Sequence, residues 1–547
     1  MTLRGLVGPL LPGPADYRML PRTWRGDLVA GLTVGIVALP LALAFGVSSG
    51  VGAAAGLVTA IVAGLVAAVF GGSNVQVSGP TGAMVVVLAP IVAVHGVGSV
   101  ATVSVLAGLI VIVAGVVGLG RAVSYIPWPV IEGFTLGIAV IIFLQQVPAA
   151  LGERSEHSPN AVIAAVESFA RADWSAAGWS IGAVLVVAAV MVGASLVHPR
   201  IPGSLVAIVV VTLIAVLAGL PLERIGELPA SLPAPTLPSL SLESLGQLAA
   251  PAVAVAALAA IESLLSARVG ASLADTGSYR PDRELVGQGL ASLASGMFGG
   301  MPATGAIART AVNVRSGGRS RLAAIVHALV LLLVIYVAAG VVSQIPLAAL
   351  AGVLMVTAAR MISLGTVRSV LRSTRSDALV FVVTAIITVS FDLVIAVVIG
   401  IAVAALFALV SLSRSAGVHR EPLPGTPAPG DERIALFRID GALFFGAAER
   451  MLDRVGEVEG ASVVIIRMSQ LQSLDATGAR VIAELITGLE RRGMTVLIKG
   501  IQPQHLGLVQ RVGVLDALRH ENHLFDDLPA AIEHARSHVR REDAQPK

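Results

Sequence analysis

Apolar stretches of helix-spanning length recur along this chain and leave few folds open to it. A bilayer's hydrocarbon core is about 30 Å thick and takes about 20 apolar residues as a helix. Such stretches fit at 28–47, 51–70, 79–94, 100–119, 127–147, 180–198, 204–220 and 249–267, and again near 286–299, 303–314, 321–343, 346–362, 377–391 and 393–413. Of 547 residues, 55% are hydrophobic and 13% charged, against about 25% charged in an ordinary soluble domain. The mean hydropathy is +0.86. Too little polar surface remains to solvate a globule of this length. The sequence therefore reads as a polytopic all-α membrane protein with fourteen transmembrane segments. Apolar stretches continue from Leu28 with no small-residue cleavage site, so no removable signal peptide is expected. Cysteine is absent, which excludes disulfides, thiolate catalysis and cysteine metal sites. The net charge of +3 comes from bases dispersed between apolar blocks, a pattern that gives no nucleic-acid surface.

Arginine placement sets the expected orientation. With fourteen spans, loops on the side of the termini hold Arg121, Arg200, Arg268, Arg280, Arg283, Arg315, Arg319, Arg321, Arg360, Arg368, Arg372 and Arg375. The opposite loops hold Arg154, Arg171 and Arg224. Both termini are expected in the cytoplasm, with the protein multi-pass in the cell membrane.

The apolar pattern stops after Ser413. The domain reading is a cytoplasmic tail over 1–20, a transmembrane domain over 21–414, a Pro- and Gly-rich linker over 415–432, a soluble α/β domain over 433–541 and a tail over 542–547. Strands are expected at Ile434–Ile439, Ala442–Phe445, Ser462–Met468 and Thr495–Ile498. Helices are expected at Ala447–Val458, Ala476–Arg491, Pro503–Val512 and Leu528–His538. That alternation indicates βαβ units.

Two segments carry the functional signal. Gln76-Val77-Ser78-Gly79-Pro80-Thr81-Gly82-Ala83 opens the third stretch, and Gly299 to Thr310, with Met301-Pro302-Ala303-Thr304-Gly305-Ala306-Ile307-Ala308-Arg309, opens the tenth. If the spans are seven plus seven, these are equivalent positions. Short segments interrupted by Gly and Pro at matching places mark the substrate site of inverted-repeat transporters. Each break exposes backbone N–H groups, and each helix start carries roughly half a positive charge. Two such starts facing one another make an anion site. The plainer alternative is that Gly and Pro merely kink packed helices.

Arg309 sharpens the sign. An arginine at the bilayer centre costs about 2.5–3.5 kcal/mol on insertion scales, a cost best offset by a bound anion or a carboxylate. A snorkelling arginine near the cytoplasmic face is the structural alternative. Glu262 is the second intramembrane ionisable group, with Ser266 one turn later on the same face. Its functional readings are a proton carrier or a Na⁺ ligand with Ser266; the structural one is an ion pair with an arginine. Asp392 and Glu132 read as structural.

At these residues the chain resembles the sulfate permease (SulP) family. The matching stretches are Asp27-Leu28-Val29-Ala30-Gly31 with Pro40, Val77-Ser78-Gly79-Pro80-Thr81, Ile126-Pro127-Trp128-Pro129-Val130 with Gly133-Phe134, Glu262-Ser263-Leu264-Leu265, and the tenth-span motif. The resemblance implies seven plus seven inverted repeats, a core domain moving against a gate domain, and a homodimer. It implies that Phe45, Thr81, Ala308 and Arg309 line the anion site, beside Gly82, Ala306 and Thr310, and that Glu262 is linked to H⁺ or Na⁺. Relatives often carry glutamine where this chain has Leu41, which removes a polar contact. The C-terminal domain is similar to STAS domains, through Leu474-Asp475-Ala476-Thr477-Gly478. Ala476 replaces the serine phosphorylated in bacterial anti-sigma antagonists, and Asp475 suits a helix N-cap.

The expected function is secondary active transport of a small inorganic or carboxylate anion (sulfate, bicarbonate or dicarboxylate) by alternating access, with H⁺ or Na⁺ as coupling ion and no other cofactor. No Gly-x-x-x-x-Gly-Lys loop occurs, so ATP-driven pumping and enzymatic chemistry are not expected. Expected partners are the anion, membrane lipid, a second copy, and a cytoplasmic regulator of the STAS domain, with no nucleic acid. The alternatives are an uncoupled channel or exchanger, a nucleobase permease, and a membrane-tethered STAS regulator.

Overall fold

The computed structural model describes residues 10–543 apart from 122–125, 154–159, 199–200, 230, 239–240, 275, 278, 391–392, 416 and 444–459. Arg154, Arg200, Asp392 and the helix expected at Ala447–Val458 lie outside the described residues. The chain divides into two compact units, 1–402 and 403–547.

In the first unit every apolar stretch coincides with a helix. They are α1 (Leu20–Ser48), α2 (Ala53–Phe70), α3 (Gly82–His95), α4 (Ser99–Val117), α5 (Trp128–Gln145), the short α6 (Val147–Ala150), α7 (Ala161–Arg171), α8 (Trp174–Val197) and α9 (Gly203–Leu217). After them come α10 (Leu242–Leu273), α11 (Pro281–Met297), α12 (Ile307–Arg315), α13 (Arg321–Val342), α14 (Leu347–Met361), α15 (Leu364–Leu371), α16 (Arg375–Ser390) and α17 (Leu393–Ser415), which runs into the second unit. Among the described residues, eight helical segments are long and apolar enough to cross a membrane. The exceptions include α3 and α12, at 14 and 9 residues.

The packing repeats itself. Exchanging α1 with α10, α2 with α11, α4 with α13, α5 with α14 and α8 with α16 turns the α1–α13 contact into α10–α4. It likewise turns α2–α13 into α11–α4 and α5–α16 into α14–α8, and returns α2–α11 to itself. Two two-residue strands, β1 (Ser78–Gly79) before α3 and β2 (Thr304–Gly305) before α12, pair antiparallel, Ser78 opposite Gly305 and Gly79 opposite Thr304. A two-fold axis relating the halves maps such a ladder onto itself. Small residues allow the crossings. At α4–α11, a Cβ on Gly108 would sit 2.7 Å from Gly289 O, and one on Gly289 would sit 2.5 Å from Gly108 O.

Two arginines read from sequence as cytoplasmic loop charges are instead buried. Arg283 Nη1 pairs with Asp16 Oδ2 at 2.9 Å, and Arg321 Nη1 donates to Ala68 O at 3.0 Å. They close the C-terminal end of α2, where Glu284 also accepts from Gly72 N at 2.7 Å and Ser73 N at 3.0 Å. Within the segment read as a cytoplasmic tail, the described residues are tied to this unit through Asp16, in a 3₁₀ turn over Pro14–Tyr17.

Asp27 is a heavily bonded carboxylate of this unit. Fully buried, it accepts from Arg319 N (2.7 Å), Ser320 N (3.0 Å), Ser320 Oγ (2.6 Å) and Thr23 Oγ1 (2.7 Å), and so holds the N-terminus of α13 against α1. Hydrogen bonds to a charged acceptor are worth about 1.5–3 kcal/mol each. Asp27→Asn turns donors against a donor, and the expected result is a loss of about 3 kcal/mol of stability, read as a lower melting temperature of the purified protein. An unchanged melting temperature would contradict this role.

The second unit holds a five-stranded sheet in the order β3-β4-β5-β6-β7: β3 (Gly417–Glu421), β4 (Ile434–Leu443), β5 (Val463–Leu474), β6 (Thr495–Lys499) and β7 (Leu524–Phe525). Only β3–β4 is antiparallel. Helices α18 (Ala476–Arg491) and α19 (Pro503–Val512) contribute to one apolar cluster and α20 (Leu528–Asp543) to another. Alternation divides β4 between them: Ala435, Phe437 and Ile439 join the first, Ile434 and Leu436 the second. Residues 417–421, read as linker from their Pro- and Gly-rich surroundings, form the edge strand β3, because β4 offers them an unpaired edge. Asp475 caps α18, accepting from Gly478 N at 2.7 Å.

Candidate functional site

The β1–β2 ladder brings the starts of α3 and α12 together. Val77 O accepts from Ala306 N at 2.8 Å, and Thr310 Oγ1 accepts from Val77 N at 3.0 Å, so each half is bonded to the other's break. Ala306 is the N-cap of α12 and supplies no side-chain cap. The N–H groups of Ile307, Ala308 and Arg309 therefore open the helix without an intrahelical acceptor. Thr304 to Ala306 are buried, whereas Ile307 and Ala308 are exposed. At α3, Thr81 Oγ1 accepts from Met84 N at 3.4 Å, leaving Gly82 and Ala83 as first-turn donors. Gly82 allows close packing of its neighbours: a Cβ there would lie 3.4 Å from Phe45 Cε1 and clash with Ile142.

Arg309 is 2% exposed. Its Nη2 donates to Pro80 O, which ties the first turn of α12 to the segment before α3. Its Nη1 is buried with no hydrogen-bond partner. Among the described residues no carboxylate pairs directly with Arg309; Glu262 acts on it electrostatically from farther off. A Cβ on Gly79 would come within 2.7 Å of Arg309 Nη1 and 3.3 Å of Ala60 Cα. Glycine at 79 is what lets a guanidinium lie beside the strand.

Glu262, on α10, is half-buried. Its Oε2 accepts from Thr81 Oγ1 at 2.8 Å and from Thr304 Oγ1 at 2.6 Å, hydroxyls that are themselves 3.0 Å apart. One carboxylate oxygen thus bridges the two half-helix breaks. Ser266 behaves otherwise: it is fully buried, and its hydroxyl lies 3.1 Å from Thr310 Oγ1. The Ser266 and Thr310 hydroxyls meet where the α10 turn after Glu262 faces α12. Glu132 accepts from Trp128 Nε1 at 3.0 Å on an exposed helix face.

Thr304, quoted in the tenth-stretch motif but not singled out as a site residue, joins the cluster. Its signal is the triplet Thr81-Gly82-Ala83, repeated as Thr304-Gly305-Ala306; both threonines reach Glu262. A large vestibule, about 1390 Å³, lies among Val47–Ser49, Gln145, Gln146, Arg224 and Leu350. It includes none of the candidate anion-site or coupling residues.

The sequence pattern of the sulfate permease family matches residues 24–384, and that of the STAS domain residues 426–531. The chain is 34% identical over 516 residues to a putative sulfate transporter, YvdB, of Bacillus subtilis, covering 92% of this chain and 96% of that one. It is 31% identical over 550 residues to the bicarbonate transporter BicA of Synechocystis, covering 94% of each. The murine Slc26a9 anion transporter, solved in an inward-facing state, shares the fold with a TM-score of 0.84 at 18% identity, over 98% of this chain and 95% of that one. A bonded pair of half-helices, the apolar helices around it and these matches agree: this chain is a membrane protein belonging to the sulfate permease family, with a C-terminal STAS domain.

Proposed function

We propose that the protein is a secondary active transporter that moves a small anion across the cell membrane by alternating access, with no chemical step. The carrying observation is Arg309: a buried cation, with one nitrogen unpartnered, at the start of an uncapped half-helix. A charge taken out of water without a counter-ion is costly. An anion seated between the N-termini of α3 and α12 supplies the counter-charge and takes up the free N–H groups of Ala308 and Arg309. Phe45, Gly82 and Ala306 shape the seat. Glu262, held by Thr81 and Thr304 from the two halves, is the proposed coupling group for H⁺ or Na⁺.

Sulfate, bicarbonate or a dicarboxylate fits this site, and the relatives' names point to the first two. Leu41 takes away one polar contact, which weighs against a strong sulfate preference. Cytoplasmic termini, a homodimer and a regulatory partner for the STAS domain complete the reading.

Purified protein in liposomes, offered labelled sulfate, bicarbonate and fumarate under imposed pH and Na⁺ gradients, tests it. The expected result is accumulation of one anion above its equilibrium level under one gradient. Flux without accumulation would make the protein an uncoupled exchanger or channel. No flux of any anion above leak would leave the membrane-tethered regulator.

A further inference from the structure

Four of the chain's ten histidines fall within residues 520–538, at the edge of the STAS domain and outside the candidate anion site. Three converge. His523 precedes β7, and His534 and His538 stand one turn apart on α20, in His534-Ala535-Arg536-Ser537-His538. One ligand nitrogen from each lies within 4.8 Å of the other two. His534 Nε2 and His538 Nε2 are 3.3 Å apart. Two nitrogens bound to one tetrahedral zinc, at Zn–N of about 2.0–2.1 Å, stand roughly that far apart.

We propose that His523, His534 and His538 form a binding site for a divalent transition metal of the zinc class, with a fourth position open to water or another ligand. Imidazole suits Zn²⁺, Cu²⁺ and Ni²⁺, whereas Mg²⁺ and Ca²⁺ select oxygen. Two histidines at i and i+4 present both rings on one helix face. His523 is 2% exposed, and its Nδ1 is buried without a hydrogen-bond partner. An imidazole ligates only when neutral. Burial, and then the neighbouring histidines, push His523 down to about 4; burial also lowers His534 and His538.

The charges around the cluster are engaged elsewhere. Arg519 pairs with Glu490 at 2.9 Å, Arg541 donates to Ser537, and Glu542 pairs with Arg433. His520 stacks edge-on to His523 with ring centroids 5.5 Å apart and is the natural control. A bound metal would clamp α20 to the segment before β7. That makes the end of the STAS domain a metal-responsive element.

The experiment uses the full chain, purified without a histidine tag, stripped with chelator and titrated with ZnCl₂. Because the chain has no cysteine, no thiol site competes. The expected result is one Zn²⁺ bound per chain, a raised melting temperature, and a tetrahedral d–d absorption when Co²⁺ replaces zinc. His534→Ala and His538→Ala, on the less buried ligands, should each weaken zinc binding by at least about 100-fold, beyond the 10–100-fold of outer-shell changes. His520→Ala should leave it unchanged. Less than stoichiometric zinc in the wild type, or equal binding by the double variant His534→Ala/His538→Ala, would overturn the proposal. Binding that Mg²⁺ or Ca²⁺ displaces equally well would overturn it too.

Discussion

Arg309→Ala is expected to weaken binding of every transported anion by roughly 10- to 100-fold, the equivalent of about 1.5–3 kcal/mol for a charge-assisted hydrogen bond. The effect is general because Arg309 offers charge and an unpartnered Nη1, not a pocket shaped to one substrate. The guanidinium also donates to Pro80 O, so alanine removes a structural tie between the two breaks. Arg309→Lys separates the two roles. It keeps the charge and loses the fork, and should recover part of the affinity while leaving the tie to Pro80 broken. Isotherms for sulfate, bicarbonate and fumarate on monodisperse protein provide the check. Loss of one anion alone would give Arg309 a selective role in place of the general one. Full affinity in Arg309→Ala would remove it from the site.

Glu262→Gln is expected to abolish gradient-driven accumulation while retaining anion binding within a few fold. Glutamine fills the same space and still accepts from Thr81 and Thr304, whose hydroxyls lie 2.8 and 2.6 Å from Oε2. What it loses is the ability to carry a proton or to balance a sodium ion. A coupled transporter stripped of its coupling group becomes an equilibrating one. Accumulation should therefore collapse to the level set by the anion's own gradient, measured as labelled uptake under imposed pH and Na⁺ gradients. Thr304→Val, which removes one donor, should shift the coupling without emptying the anion seat. Undiminished accumulation in Glu262→Gln would take this carboxylate out of the coupling.

The helices were legible because membrane burial writes itself as long apolar runs, and the two breaks because Gly and Pro interrupt them at matching places. Arg309 and Glu262 stood out for the same reason, as ionisable groups where charge is costly. The β1–β2 ladder was not legible, since two residues on each side leave no periodicity to read. Ser266 shows what a face argument leaves out: spacing places it on the face of Glu262, and only the neighbouring helix supplies its hydroxyl partner, Thr310. Arg283 and Arg321 looked like loop charges because nothing local announces Asp16, far away in sequence, as their partner. Asp27 sat in plain view within a family motif, yet its role needs the N-terminus of α13, nearly 300 residues on. The histidine cluster needed the sheet to bring residue 523 beside α20.

The central claim is that one anion is held between two half-helix N-termini with Arg309. The most direct test is a structure of the protein saturated with whichever anion accumulates in liposomes. The account predicts that anion within hydrogen-bonding distance of the Ala308 and Arg309 N–H groups and the Arg309 guanidinium. Saturating anion bound only elsewhere, with the space between α3 and α12 filled by side chains, would contradict it.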